Sequence, residues 1–404
     1  MTLEPYISLQ MYKILSLLSQ KSNEMTVERD IAGFAFPFAV GITLAAIFFK
    51  GIFCFHPEAF LPTLCLWGIS LGILLSDRRH HLSVNALWIC ITALALTSGM
   101  LSGLAGAWQS ICKTPKNGPI SQAAYGFCES LKILIAGTPF NDTGTPAIIT
   151  ALITGEKSCL SAETIHAFRE SGASHILALS GLHLGIIYGI VRICLSIFGN
   201  SPKTRIFKSV LTILTCAFYS IATGAAPSII RALIFIIAGE CSQLMGRHRS
   251  TGQTLFIALI IQLTLNPLDI TNIGFQLSYA AMFGIAYIFP YLDRFWPKED
   301  SNHDRRKGAA PLTSRGLRWV WSCAAMSISC QITTAPLALY HFGTFPKYFL
   351  LTNLIALPLV GIIIPASLGV MVLHKVGCCP EFMIRATECL IAWLRESLEI
   401  IATM

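Results

Sequence analysis

Long apolar stretches alternate with short polar segments along the chain, and each stretch is about as long as a membrane-spanning helix. A hydrocarbon core about 30 Å thick requires roughly 20 apolar residues in helical form. Helix is expected in every stretch, because an open sheet leaves backbone polar groups unpaired in lipid. The pattern predicts about ten transmembrane helices, centred on residues 31–49, 60–76, 84–106, 175–198, 207–223, 227–243, 253–268, 273–292, 318–340 and 348–373.

The composition supports this interpretation and excludes a water-soluble protein. Of the 404 residues, 54% are hydrophobic and 12% are charged, whereas a soluble domain carries about 25% charged residues. The 14 cysteines show no CxxC and no Cys/His ligand spacing, so we expect no metal and no cofactor. The predicted fold class is an all-α polytopic membrane protein with broken or re-entrant segments.

The positions of lysine and arginine predict a cytoplasmic N-terminus. With that orientation, the inward loops carry two, three, two and seven of these residues, fourteen in all, whereas the outward loops carry only Lys50 and Lys347. Basic residues concentrate on the cytoplasmic side of membrane proteins. The net charge of +8 is therefore no measure of affinity for nucleic acid. The inward loops are residues 77–83, 199–208, 244–252 and 293–318.

This topology divides the chain into four segments. The first contains a cytoplasmic N-terminal segment and three transmembrane helices, and the second is extracytoplasmic with interfacial helices. A transmembrane core follows, and the chain ends in an amphipathic helix predicted to lie on the membrane surface. In order, the segments are residues 1–106, 107–174, 175–373 and 374–404.

Two cysteines of the outer segment, Cys112 and Cys128, face an oxidising space in this topology. Disulfides form and persist in such compartments. The sequence is equally compatible with a disulfide between them and with two unpaired thiols.

Polar side chains inside the apolar stretches are the candidate functional residues. An ionised side chain at mid-membrane costs on the order of 3 kcal/mol, so each one requires a partner or a water-filled cavity. The candidates for lining a polar path are His175, Ser180, His183, Arg231, Gln276, Gln331 and Asn353.

Glycines and prolines near these residues predict close packing or interrupted helices. A GxxxGxxxG stripe is typical of closely packed membrane helices, and prolines beside polar groups indicate broken helices that line an enclosed cavity. The stripe is Gly181, Gly185 and Gly189, and the helix-breaking prolines are Pro336 and Pro358. Pro227 suits the first turn of a helix.

Two of the candidates leave alternatives open. His183 follows Ser180 by three residues, which suits either a buried imidazole or a Ser/His hydrolytic pair, although no orienting group lies nearby. Arg231 is placed to pair with an acidic side chain, to extend toward the membrane surface or to line an anion path.

Several motifs, taken in order, resemble the signature of the ComEC family of competence membrane proteins over residues 146–370. The resemblance implies a bacterial inner-membrane channel that carries one strand of transforming DNA into the cytoplasm, with residues 175–373 as its core. The motifs are Leu152 to Lys157, Phe168, Gly172, His175 to His183, Pro227 to Ala232, Asn266-Pro267, Gly274 to Ser278, Thr334 to Pro336 and Asn353 to Pro358.

The resemblance also implies partners. Besides single-stranded DNA and the lipid bilayer, it implies an outer DNA receptor and a cytosolic ATP-driven DNA motor, since no P-loop occurs in the chain. One chain or a homo-oligomer would form the pore.

The chain departs from the family pattern in two places. Family members often carry an outer OB-type domain, but residues 107–146 are too few for a complete OB barrel. Many members also carry a metallo-β-lactamase-like domain, whose HxHxDH cluster does not occur in this sequence. We therefore expect no nuclease activity or other enzymatic activity in this chain, and a separate nuclease would degrade the second strand.

Three further hypotheses compete with a DNA channel. The first is a transporter of a small or lipid-linked anion that uses Arg231 as its anion site. The second is an intramembrane hydrolase centred on Ser180 and His183. The third is an inactive relic that no longer moves DNA. A strand that contacts several phosphates shows a steep dependence on salt concentration, whereas a single anion does not.

Overall fold

The computed structural model confirms the all-α class, because its described residues form helices and no β-strand. The N-terminal residues 1–26, Cys112 and most of the inward loop 293–318 lie outside the described residues. The described residues are 27–49, 57–80, 84–111, 119–142, 144–199, 201–246, 250–296, 312–343, 345 and 347–403.

The helices differ widely in length, and the longest contain about thirty residues. In chain order they are α1 (Val27–Phe49), α2 (Pro57–His80), α3 (Val84–Ile111), α4 (Pro119–Gly137), α5 (Gly144–Thr154), α6 (Ala162–Glu170), α7 (Ser174–Leu177), α8 (Gly181–Leu195), α9 (Pro202–Ala222), α10 (Pro227–Met245), α11 (Thr251–Leu265), α12 (Ile273–Asp293), α13 (Leu312–Phe342), α14 (Phe349–Val376) and α15 (Glu381–Thr403).

Six of the described helices, α3, α9, α10, α12, α13 and α14, are long and apolar enough to cross a membrane. The chain is therefore a polytopic membrane protein. The predicted number of ten spans is not confirmed, because the apolar parts of four other predicted spans are shorter. These shorter parts are Ile31–Ala46, Pro62–Leu71, Gly181–Leu195 and Thr251–Leu265.

The chain divides into two compact units, each with its own packing. The first unit consists of Met1–Thr114 and Arg249–Asn272. In it α1 packs along α3, while α2 packs on α3 and α11 packs on α1. The indole N–H of Trp67 in α2 donates a 2.8 Å hydrogen bond to Oγ of Ser98 in α3.

Close approach of α1 and α3 depends on glycines in both helices. A Cβ atom at Gly41 would collide with the carbonyl oxygen of Leu96, and one at Gly99 would collide with the carbonyl oxygen of Phe38. Small residues allow membrane helices to approach backbone to backbone. Gly99 and Gly103 therefore form the small-residue contact of this unit, since Gly103 also lies against Ala45.

The second unit consists of Pro115–His248 and Ile273–Met404 and contains two apolar clusters. The larger cluster joins α5, α14 and α15 through buried residues such as Leu152, Val360 and Leu394. The smaller one joins α8, α9 and α10 through Leu184, Cys216, Tyr219 and Ile229.

The C-terminal helix α15 buries its apolar face in the larger cluster. Aliphatic side chains recur along it at helical spacing, and α15 packs on α14, α5 and α6. This apolar face therefore packs against protein within the second unit. The buried aliphatic residues of the helix are Ile384, Ile391, Leu394, Leu398 and Ile401.

The prolines singled out in the sequence lie in two different settings, and Pro227 lies in the first turn of a helix as predicted. Pro227 occupies the first turn of α10, where its missing N–H costs no helical hydrogen bond. Pro336 and Pro358 lie inside α13 and α14, so these helices continue through the positions expected to break them. Membrane helices tolerate proline because neighbouring groups satisfy the freed carbonyl.

The predicted glycine stripe contributes close packing at only one position. A Cβ atom at Gly181 would lie 3.2 Å from Cβ of Ala232 in α10, whereas Gly185 and Gly189 face open space within the described residues. Further along, α8 meets α10 through longer side chains instead, since the Tyr188 hydroxyl donates to Glu240.

Candidate functional site

The predicted span at residues 175–198 is interrupted near its start. The short helix α7 ends at Leu177, Ala178 is extended, and α8 begins at Gly181. The hydroxyl of Ser228 in α10 donates a 2.9 Å hydrogen bond to the carbonyl of Leu179. This bond satisfies a backbone carbonyl that the interruption leaves outside the helical pattern.

A glycine with left-handed backbone accommodates the interrupted segment. Gly155, which follows α5, has φ of +79°, and a Cβ atom there would overlap the side chain of Leu179. Glycine adopts this conformation without steric cost. The end of α5 is tied to α9 as well, since the hydroxyl of Tyr219 donates a 2.8 Å hydrogen bond to the carbonyl of Ile153.

Ser180 and His183 form a capping box at the start of α8. The Ser180 hydroxyl accepts from the Leu182 amide at 3.3 Å, and the Ser180 amide donates to Nδ1 of His183 at 3.2 Å. The Ser180 hydroxyl lies 3.0 Å from the same Nδ1 atom. Capping therefore accounts for the contact between the two side chains.

The ring of His183 is held in one orientation by this box. Its Nδ1 accepts the Ser180 amide, so the proton of the neutral imidazole resides on Nε2. His183 is 1% exposed, and its Nε2 has no hydrogen-bond partner among the described residues. No carboxylate of the described residues orients this ring, as a Ser/His hydrolytic pair would require.

Arg231 is a buried cation in the first turns of α10, 7% exposed. Its Nη1 donates to Oγ of Ser278 in α12. Its guanidinium carbon lies 5.5 Å from the centroid of the Tyr279 ring, within the range of a cation–π interaction. Among the described residues its contacts are thus a hydroxyl and an aromatic ring, and no carboxylate pairs with it.

The start of α8 lies beside this cation. A Cβ atom at Gly181 would be 3.8 Å from Nη2 of Arg231. Helices α8, α10 and α12 therefore bring four residues together, which we call the Arg231 cluster. Its members are Gly181, Arg231, Ser278 and Tyr279. Of the predicted path residues, Arg231 belongs to this cluster, and Ser180 directly precedes its member Gly181.

The other predicted path residues lie in separate surroundings. Oε1 of Gln276 lies 3.1 Å from Nε2 of His341 in α13, which requires the histidine to donate. Nδ1 of His175 donates to the carbonyl of Gly172 at 3.1 Å. Gln331 is half-buried in α13, and Oδ1 of Asn353 in α14 is buried with no hydrogen-bond partner among the described residues.

A second polar cluster, absent from the predicted site residues, is centred on Glu240 of α10. Glu240 has no exposed surface. It accepts hydrogen bonds from the Tyr188 hydroxyl at 2.8 Å and the Ser209 hydroxyl at 2.6 Å, and Arg192 lies 3.5 Å away. A charged residue inside an apolar stretch is the signal that identified Arg231, and the same signal applies to Glu240 nine residues later in the same helix.

The fold and the Arg231 cluster thus define a polytopic helical membrane protein with a buried cation between three helices. A family model described as Competence protein matches residues 152–404. The chain belongs to the competence protein family.

Three curated relatives share between 24% and 27% identity with this chain. ComE operon protein 3 of Bacillus subtilis is 27% identical over 271 residues, which cover 65% of this chain and 31% of the relative. Recombination protein 2 of Haemophilus influenzae is 24% identical over 216 residues, which cover 52% of this chain and 26% of the relative. The protein YcaI of Escherichia coli, described as uncharacterized, is 25% identical over 256 residues, which cover 62% of this chain and 31% of the relative.

The matches therefore span about a third of the length of these relatives. No solved structure matches the chain.

Proposed function

We propose that this chain forms a path in the bacterial inner membrane through which single-stranded DNA enters the cytoplasm during natural competence. Family membership supports a role in competence. The observation that carries the proposal is Arg231, a buried guanidinium without a carboxylate partner among the described residues.

The buried charge of Arg231 is compensated only in part by its protein contacts. Burying a charge is costly unless an opposite charge or a hydrogen-bonding group compensates it. A hydroxyl and an aromatic ring compensate Arg231 only in part, so an anion that reaches the Arg231 cluster gains a charge-assisted interaction. Arginine binds phosphate in a bidentate manner, and a DNA strand presents one phosphate per nucleotide.

The proposed path is not enzymatic and uses no cofactor. The Ser180 and His183 contact serves as a helix cap in this proposal, and a separate nuclease degrades the second strand. An outer DNA receptor delivers the duplex, and a cytosolic ATP-driven motor supplies the driving force, because the sequence contains no P-loop.

The test follows labelled duplex DNA in the source organism or in a competent surrogate. Surface-bound label and internal single-stranded label are scored separately for the wild type, a deletion and Arg231→Ala. We expect surface label to persist and internal label to disappear in both mutants. Arg231→Lys should restore uptake in part, since lysine keeps the charge but loses the bidentate geometry.

Arg385→Ala is the matched control. Arg385 belongs to the same unit, but its side chain is 70% exposed and pairs with Glu381, so uptake should be unchanged. Immunoblots of membrane fractions establish that every variant is made and inserted. Unchanged internal label in the deletion strain would overturn the proposal and favour transport of a smaller anion at Arg231.

A further inference from the structure

Helix α12 carries four aromatic residues at intervals of four positions, Phe275, Tyr279, Phe283 and Tyr287. We call them the aromatic ladder. The ring centroids of Phe275 and Tyr279 are 4.5 Å apart, and those of Phe283 and Tyr287 are 4.7 Å apart. We propose that the aromatic ladder is a stacking track for the bases of single-stranded nucleic acid, with Arg231 holding the phosphate backbone beside it.

Arg231 places a positive charge beside the aromatic ladder. The Arg231 guanidinium lies over the Tyr279 ring, so a cation that suits a phosphate adjoins an aromatic face that suits a base. Proteins that bind single strands without sequence preference combine these two elements, cationic groups for the backbone and aromatic rings for the bases.

The exposure of the rings changes along the ladder. Phe275 is 3% exposed, Tyr279 and Tyr287 are half-buried, and Phe283 is 40% exposed. A step of four residues slightly exceeds one helical turn of 3.6 residues, so successive rings rotate gradually around α12. Exposure rises from Phe275, which packs inside the second unit, to Phe283, so a base would meet Tyr279 and Phe283 rather than Phe275.

The backbone of α12 departs from regular α-helix beside the ladder. Residues Gly284–Ile288 form a π-helical turn directly after Phe283. A Cβ atom at Gly284 would collide with the carbonyl oxygen of Ser329 in α13, so this glycine allows α12 to lie against α13. π-helical turns are rare and often occur at functional sites, and this one follows Phe283 and contains Tyr287 of the ladder.

The inference rests on the proposed function and names how that path recognises its substrate. Every base has an aromatic face, so stacking tolerates any sequence. Hydrogen bonding to base edges would instead impose a sequence preference, which an uptake path for arbitrary DNA has to avoid.

The test compares two fluorescent oligonucleotides of equal length with the purified full chain in lipid nanodiscs, one with normal bases and one abasic throughout. Anisotropy gives the affinity for each. Tyr279→Leu and Phe283→Leu should each weaken binding of the normal strand about tenfold, which corresponds to about 1.4 kcal/mol and lies within the range for base–aromatic stacking. Both variants should bind the abasic strand as the wild type does.

Two further variants separate stacking from general damage. Tyr279→Phe keeps the ring and should bind like the wild type. Phe127→Leu is the matched control, because Phe127 is 42% exposed and its ring centroid lies 5.3 Å from that of Phe218. This control should leave both affinities unchanged, whereas Arg231→Ala should weaken binding of both strands.

The outcomes distinguish failure of the inference from failure of the proposed function. If the wild type binds normal strands and both leucine variants bind them equally well, the ladder is a packing or lipid-facing feature and the inference is wrong. If the wild type binds neither strand, the proposed function and the inference fail together. If Tyr279→Leu weakens both strands equally, the ring only positions Arg231 and the stacking role is excluded.

Discussion

The hydroxyl of Tyr188 in α8 donates a 2.8 Å hydrogen bond to Oε1 of Glu240 in α10. Glu240 also accepts from Ser209 of α9 at 2.6 Å and lies 3.5 Å from Arg192. The carboxylate has no exposed surface, and its partners come from both neighbouring helices. A fully buried charge with several donors joins these helices because each donor would otherwise be left unpaired.

Loss of the Glu240 carboxylate should destabilise the second unit more than loss of any single donor. Glu240→Leu leaves the Tyr188 and Ser209 hydroxyls without their acceptor, at about 1–3 kcal/mol for each buried unpaired group. Tyr188→Phe removes one interhelical hydrogen bond, which is worth about 0.6 kcal/mol on average in membrane proteins. Thermal unfolding in detergent measures both. Glu396→Leu, at an exposed position of α15, is the control, and an equal effect there would contradict a specific role for Glu240.

Alanine at two glycines of the first unit should have opposite effects. Gly99→Ala places a methyl group against the carbonyl oxygen of Phe38 and forces α1 and α3 apart, which should cost about 1–3 kcal/mol as other overpacking substitutions do. Gly68 in α2 has nothing within 4 Å of a Cβ atom. Gly68→Ala should stabilise the helix by about 0.5–1 kcal/mol. The unfolding temperatures of the two variants are compared with that of the wild type. A loss of stability at both positions would contradict the packing explanation.

These glycines show what a motif predicts and what it leaves open. The stripe at residues 181–189 and the pair Gly99 and Gly103 share the same spacing. Close contact occurs at Gly99, Gly103 and Gly181, whereas Gly185 and Gly189 face open space among the described residues. Spacing places small residues on one face of a helix, but the crossing point of the partner helix decides which of them are used.

The candidate site was likewise predictable only in part, because the sequence shows the type of a residue but not its partners in the fold. Residue type alone identifies Arg231, because a cation in an apolar stretch is costly. Its partner Ser278 lies 47 positions away, and its identity depends on how α10 and α12 pack. The prolines show that a residue type does not by itself determine the local structure. Pro336 lies within a continuous helix, because losing one backbone hydrogen bond does not outweigh the packing of the rest of the helix.

Asparagine at position 180 should preserve both the fold and DNA uptake. Ser180 caps α8 through its hydroxyl oxygen, and asparagine caps helices as well as serine does, whereas Ser180→Ala should cost about 1 kcal/mol. A hydrolase would lose its nucleophile in either variant. Uptake and unfolding temperature are measured for both. Full stability with complete loss of function in Ser180→Asn would show that Ser180 does more than cap α8 and would favour a Ser/His hydrolytic pair.

Cys128 should react slowly with thiol reagents, whether or not it pairs with Cys112. It lies in α4, which is not among the six described helices long and apolar enough to cross a membrane, and burial raises the pKa of its thiol. A raised pKa leaves less thiolate at neutral pH, and the thiolate is the reactive form. Cys159 is exposed and serves as the reference. Alkylation rates at both cysteines are measured by mass spectrometry with and without prior reduction. Slow labelling of Cys128 in both conditions indicates a buried free thiol, whereas labelling that requires reduction indicates a disulfide with Cys112. Rapid labelling without reduction would contradict the burial of Cys128.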